Sequence, residues 1–235
     1  MNRYSIFPLG DSAITIDLGN YIDEERNIKT LAIQEWLRRH SFPGLLDIIM
    51  AYSSVSVFYD PAEVVAGGCA PAGGIYPWLA GLLKRAWEEA GEAPRSMGEE
   101  GRLFEIPVCY EAPYGPDLQW VAEQKGLTPS TVIELHTAMV YRVYMIGFLP
   151  GFPYLGTLDR RLEIPRKPQP VRVPAGGVGI AGMQTGIYPL NSPGGWQIIG
   201  RTPVALFDPH AESPTRLQAG DRVRFFAIPA KEFTC

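Results

Sequence analysis

The chain has 235 residues, 46% of them apolar and 20% charged, with a net charge of −4. That balance supports a packed core and argues against global disorder; at ~100–200 residues per domain it allows one large or two small domains. An acidic chain with no long basic run is a poor match for DNA or RNA, whose binding needs many phosphate-neutralising cations.

The opening residues, MNRYSIFPLGDSAITIDLG, lack a long apolar stretch and meet Pro8 and Asp11 early. They read as the start of a folded domain and not as a signal peptide. Ala13 to Leu18 alternates, with Ile14, Ile16 and Leu18 on one face, and predicts a strand. Asp23 is placed to cap a helix with Glu24 and Glu25 in its first turn and an apolar stripe of Ile28, Leu31, Ala32 and Trp36. Pro43 and Gly44 stop it. Residues 47–52 and 55–59 are rich in β-branched and aromatic residues, read as strands, and end at Asp60-Pro61.

A loose Gly/Ala/Pro stretch covers 66–74. A second helix then opens at Pro77, with Leu79, Leu82, Leu83, Ala86 and Ala90 as its stripe, and residues 103–108 are again strand-like. Strand, helix, strand, strand, helix, strand is the split βαβ, ferredoxin-like order; alternatively the last strand belongs to the next domain. The polar segment 91–101, with Pro94, Gly98 and Gly101, is the expected linker. The domains are therefore set at 1–97 and 98–235.

In the second half, Asp117 is expected to cap a short helix stopped by Gly126, and Thr128 to cap another with Pro129 in its first position. After Tyr141 the chain becomes short apolar runs broken by Gly and Pro, ending in an alternating run at 221–228. Many short strands with Gly/Pro turns predict a closed or nearly closed β-barrel.

Cys69, Cys109 and Cys235 are widely spaced, odd in number and in no CxxC pair, so reduced thiols are expected in place of a disulfide framework or zinc site. No HxH, HExxH or His/Cys cluster appears, and no metal site is expected. No run of ~18 apolar residues is present to span a membrane, and a cytoplasmic location is the expectation. The sequence contains no GxxxxGK[ST], GxSxG or strand-to-helix GxGxxG string, which argues against a stand-alone P-loop ATPase, serine hydrolase or Rossmann enzyme.

Two clusters stand out. One is GFLPGFPYLG at 147–156; the other runs from Val173 to Pro203 and holds eight of the chain's 25 glycines between Pro174 and Gly200. Glycine costs a strand ~0.5–1 kcal/mol relative to Ala, so the concentration needs a cause. One cause is close approach of backbone to an anionic ligand; the other is tight barrel corners and bulges. Arg166, Lys167, Arg172 and Arg201 supply cations suited to carboxylate or phosphate. Gln184, Thr185, Tyr188, Asn191 and Ser192 supply neutral donors and acceptors, and Phe148, Phe152, Tyr154 and Trp196 are candidate pocket walls. His136 is a candidate general base or a hydrogen-bonded helix histidine.

The strings FPLGDSAITIDLG, GPDLQWVAEQKGLTPSTVIELHTAMVYRVYMIGFLPGFPYLG and VPAGGVGIAGMQTGIYPLNSPGGWQIIGRTP closely resemble the family of KipI and the 5-oxoprolinase B component, of the allophanate hydrolase subunit 1 type, over nearly the whole chain. The resemblance implies an α+β protein: a small ferredoxin-like N-terminal α/β domain followed by a cyclophilin-like β-barrel domain. It implies a component of a 5-oxoprolinase, an ATP-hydrolysing cyclic amide hydrolase, that is inactive alone. The B and C components use ATP, with magnesium arriving on the nucleotide, to phosphorylate 5-oxoproline; the A component then opens the ring to L-glutamate. On this reading Arg166, Arg201, Gln184, Tyr188 and His136 form the catalytic group. Phe148, Pro150, Gly151, Phe152, Tyr154, Pro174, Ala175, Gly176, Gly177, Thr185, Gly194, Gly195 and Trp196 line the substrate site. The segment PRKPQPVRVPAG is one residue shorter than the family pattern, so Arg166 matches it and Arg172 is displaced. The same family also implies two other roles: an inhibitor of a histidine kinase, and half of a biotin-dependent carboxyltransferase of the urea carboxylase type.

Overall fold

The computed structural model describes residues 4–19, 21–70, 73–91 and 101–234. Most of the segment expected as linker, 92–100, lies outside them. The chain divides into two compact units, Met1–Glu99 and Glu100–Cys235. No helix among the described residues is long and apolar enough to cross a membrane.

The first unit is a four-stranded antiparallel sheet with helices packed on it. Its strands are β1 (Ser5–Pro8), β2 (Ala13–Asp17), β3 (Leu45–Met50) and β4 (Ser54–Tyr59), in the order β1-β2-β4-β3. Its helices are α1 (Glu24–Arg39), α2 (Pro61–Ala66) and α3 (Ile75–Glu89). Period-two alternation puts Ile14, Ile16, Val55 and Val57 in the core. The arrangement is ferredoxin-like, with β1 at the edge where the expected closing strand would sit. The run 103–108 belongs to the second unit's sheet.

The face that α1 buries overlaps the expected apolar stripe only in part: Ala32 and Trp36 are buried as expected. Asn27 and Thr30 are fully buried beside Ile33 and Leu37, whereas Ile28 and Leu31 are half-buried. The polar pair is tolerated because it is bonded: the Asn27 amide donates to the Tyr52 carbonyl at 3.2 Å, and Thr30 Oγ1 to the Asn27 carbonyl at 2.8 Å.

The second unit holds β5 (Leu103–Val108), α4 (Leu118–Lys125), α5 (Pro129–Thr137), β6 (Val140–Ile146), β7 (Pro153–Gly156), β8 (Val171–Val173), β9 (Gly177–Ala181), β10 (Gln184–Ile187), β11 (Ser192–Gly194), β12 (Gln197–Arg201) and β13 (Arg222–Ala227). Seven strands form one sheet, β12-β9-β10-β7-β6-β13-β5. Its two edges meet where Cys109 and Arg201 exchange both backbone hydrogen bonds, at 2.8 and 2.9 Å, and shut the sheet into a cyclophilin-like barrel. The β5–β13 pair is parallel, and β8 with β11 makes a separate two-stranded ladder. Tyr141, Val143, Leu155, Val178, Ile180, Ile187, Ile199, Val223 and Phe225 fill the interior, with Leu118, Val121, Ala122 and Val132 from the two helices in the same core.

Candidate functional site

Most of the clustered glycines serve packing. A Cβ on Gly186 would lie 2.8 Å from Phe152 Cζ, one on Gly200 2.6 Å from Val108 Cγ1, and one on Gly194 would fall on the Tyr188 hydroxyl. Gly176 has φ +83°, and a Cβ there would strike the Thr202 carbonyl. Gly177, first residue of β9, is buried, as are Gly151 and Gly194. Gly182, at φ +55°, opens the two-residue turn between β9 and β10. The barrel-corner reading therefore accounts for these positions. Gly195 is not crowded and has an ordinary φ: a Cβ there would meet the Lys167 carbonyl at 3.6 Å and Arg166 Cβ at 3.9 Å.

His136 corrects the general-base expectation. It is 0% exposed and held in a one-way chain of hydrogen bonds. Thr185 Oγ1 donates to the Gly179 carbonyl at 3.1 Å, which leaves that oxygen to accept from His136 Nε2 at 2.9 Å. Nδ1 then accepts from the Tyr110 hydroxyl at 2.8 Å. The ring stacks on Phe225 at 4.6 Å. Burial drives its pKa from the ordinary 6.5 to about 3 and raises that of Tyr110. A neutral ring with both nitrogens engaged and no solvent access is a core group. Thr185, also 0% exposed, belongs to the same hydrogen-bonded series.

A second cluster of expected residues does reach the surface. Phe152 is its centre, with ring centroids 4.8 Å from Tyr154, 5.1 Å from Tyr188 and 5.5 Å from Trp196, all edge-on. Phe152, Tyr188 and Trp196 are buried; Tyr154 is half-buried. Phe148 sits edge-on to Phe152 at 5.6 Å, 60% exposed, with φ +64°. A non-glycine residue held there carries backbone strain, a feature that clusters at ligand-contacting loops. Pro150 is exposed nearby in the chain. The Arg166 guanidinium lies 6.0 Å over the Trp196 ring. Burial raises the Tyr154 and Tyr188 phenols, and the Arg166 charge pulls both the other way. Arg166 is exposed and makes no ion pair among the described residues.

Arg201 faces other neighbours. Its Nε donates to the Ala175 carbonyl at 2.8 Å and its guanidinium lies 5.5 Å over Phe233. The Ala175 amide in turn donates to Asn191 Oδ1 at 2.8 Å, and Pro174 beside it is exposed. Gln184 begins β10, half-buried and paired with Gly156 and Ala181. A cavity of about 490 Å³ in the first unit and one of about 260 Å³ beside Tyr110 in the second contain none of the expected site residues.

Residues 4–217 match the family described as carboxyltransferase domain, subdomain C and D. Over 98% of its length the chain is 46% identical to the 5-oxoprolinase B component of Bacillus subtilis (strain 168), covering 95% of that protein. The chain belongs to the 5-oxoprolinase B-component family. It is similar to the crystal structure of TTHA0988 at 42% identity and a TM-score of 0.75 over 92% of its length, and spans 40% of that longer chain. The Kluyveromyces lactis urea amidolyase shares the fold at 18% identity, with a TM-score of 0.76 over 98% of this chain and 15% of that one.

Within this family member, one residue of the rim departs from its sequence-based expectation. Asp117 precedes α4 in the capping position, yet its side chain makes no cap hydrogen bond. A cap is worth ~0.5–2 kcal/mol, and here it is forgone. The carboxylate instead takes the Lys167 ammonium at 2.5 Å and the Ile198 amide at 2.6 Å. Those partners are 50 and 81 residues away in sequence, so no local signal reports them.

Proposed function

We propose that this chain is the B component of an ATP-dependent 5-oxoprolinase, acting with a C component to phosphorylate 5-oxoproline so that an A component hydrolyses it to L-glutamate. The observation that carries the reading is the 46% identity, nearly end to end on both chains, with a protein of that name. The exposed arginine over an aromatic shelf supports it, because the substrate carries a carboxylate and the nucleotide carries phosphates.

A lactam is a poor electrophile. In the proposed first step its carbonyl oxygen attacks the γ-phosphorus of ATP and ADP leaves, which makes the ring carbon open to water. Phosphoryl transfer needs alignment and charge neutralisation more than covalent help. Arg166 grips an anionic group, while Phe148, Tyr154 and Trp196 shield one side from water; Arg201 serves a second anion. Magnesium travels with the nucleotide in this reading.

The test is reconstitution. This chain, purified and combined with the A and C components, 5-oxoproline and ATP, is expected to release glutamate, with none formed when it is left out. Arg166→Ala in the same assembly is expected to lower turnover at subsaturating substrate by ~tenfold or more, with the melting temperature unchanged. Absence of glutamate from the wild-type assembly overturns the reading.

A further inference from the structure

Residues 165–167 form a strap that is tied on both sides of Arg166. The Gln197 amide, in a side chain 3% exposed, donates to the Pro165 carbonyl at 3.1 Å. The Lys167 amide donates to the Gly195 carbonyl at 2.6 Å. The Lys167 ammonium meets Asp117 Oδ2 at 2.5 Å, the two side chains being 17% and 19% exposed. The same oxygen accepts the Ile198 amide, and the Asp117 amide donates back to the Ile198 carbonyl at 2.9 Å. Gly195, Gln197 and Ile198 flank Trp196, the ring beneath Arg166. Two ties therefore run directly between the strap and the segment carrying that ring, the third reaches it through Asp117, and the Arg166 head is left exposed.

We propose that Asp117 is a positioning residue that acts through Lys167 and β12 to hold Arg166 over Trp196, where it meets an anionic group of the substrate. The chemistry assigned to Arg166 rests on the 5-oxoprolinase reading; the strap itself does not. Loss of the Lys167–Asp117 tie leaves the two backbone-directed bonds of the strap intact. Arg166 stays in register but samples more orientations, and ordering it again costs binding free energy. The defect belongs in KM and not in kcat.

Removing one member of a part-buried ion pair strands the other charge, so two designs are needed. Lys167→Met leaves the Asp117 carboxylate its Ile198 donor. The double variant Asp117→Asn, Lys167→Met leaves no stranded charge and keeps an oxygen for the Ile198 amide. Each is made in the full chain, beside Arg166→Ala, and assembled with the A and C components. Both strap variants are expected to raise, by roughly tenfold, the KM of whichever substrate Arg166→Ala affects, with kcat within about twofold. Arg166→Ala combined with Lys167→Met is expected to be no worse than Arg166→Ala alone. The Trp196 indole N–H resonance, assigned by Trp196→Phe, is expected to shift in both strap variants in the direction it takes in Arg166→Ala. An unmoved resonance, a KM rise on the other substrate or full additivity with Arg166→Ala overturns the proposal. If the wild-type assembly makes no glutamate, the 5-oxoprolinase reading falls, and the resonance alone decides whether the strap is tied as described.

Discussion

The glycine-bearing strands and the Arg166 strap are neighbours on one barrel, yet they follow opposite rules. Along 177–181, 184–187 and 197–201 nearly every residue is buried, and glycine stands where a Cβ would collide. At 147–150 and 165–167 side chains remain half-buried or exposed, and backbone ties fix their places. Trp196 joins the two, with its ring in the core cluster and Arg166 above it. The contrast teaches that a concentration of glycine reports close packing here, which leaves the side chains outside it as the ones available for the proposed anion contact.

The largest effect is expected where that packing is tightest. Gly176→Ala needs an L-residue at φ +83° and pushes a methyl into the Thr202 carbonyl; the combined cost is about 3 kcal/mol. A lowered denaturant midpoint checks it, and a variant of wild-type stability would break the packing side of the comparison.

The buried histidine comes next. With a folded pKa of about 3 against the ordinary 6.5, the unfolded chain binds the extra proton between those values. The stability gained by keeping the ring neutral is therefore full above about pH 6.5 and is lost as pH falls toward 3, by at most ~1.4 kcal/mol per pH unit. His136→Phe keeps the contact with Phe225 but strands the Tyr110 hydroxyl and removes the donor to Thr185 Oγ1, which keeps its bond to the Gly179 carbonyl, costing about 2 kcal/mol at neutral pH. It is also expected to flatten the acid side of the stability profile, measured by urea midpoints from pH 7 to pH 4. An unchanged slope would mean that His136 is not the group responsible.

The smallest stability change is expected at Phe148. Phe148→Gly relieves a left-handed backbone worth ~1 kcal/mol and forfeits edge contacts with Phe152 and Tyr188 of similar size. The net shift is expected within about 1 kcal/mol, while glutamate release by the assembly drops severalfold. A loss above ~2 kcal/mol would instead place Phe148 among the packing residues.

Legibility in the sequence follows the range of the interactions. The ends of α4 and α5 are readable because their signals are local: Gly126 adopts φ 63° at one helix end, and Thr128 Oγ1 accepts the Thr131 amide at the start of the next. The helix at 61–66 has such a signal too, Asp60 capping with Pro61 behind it, but it is short and runs into a loose Gly/Ala/Pro stretch that masks it. An apolar-stripe reading catches Ala32 and Trp36 on the buried face of α1 but not Asn27, whose partner, the Tyr52 carbonyl, lies on another element. In the site, residue types suggest an anion-binding aromatic patch. They give no means to separate Arg166 from Arg201, to bury His136, or to turn Asp117 from a helix cap into a clamp, because each outcome depends on partners distant in sequence.

Within the barrel, among the described residues, β5 pairs with the sheet only through β13 and the Cys109–Arg201 bridge, and β5 stands at the start of the second unit while β13 stands near its end. While a ribosome is still making this unit, β5 has emerged but the strand that must flank it has not. Its edge stays open until residue 227 clears the exit tunnel, and a chain stalled before β13 would expose a strand edge to any neighbouring polypeptide.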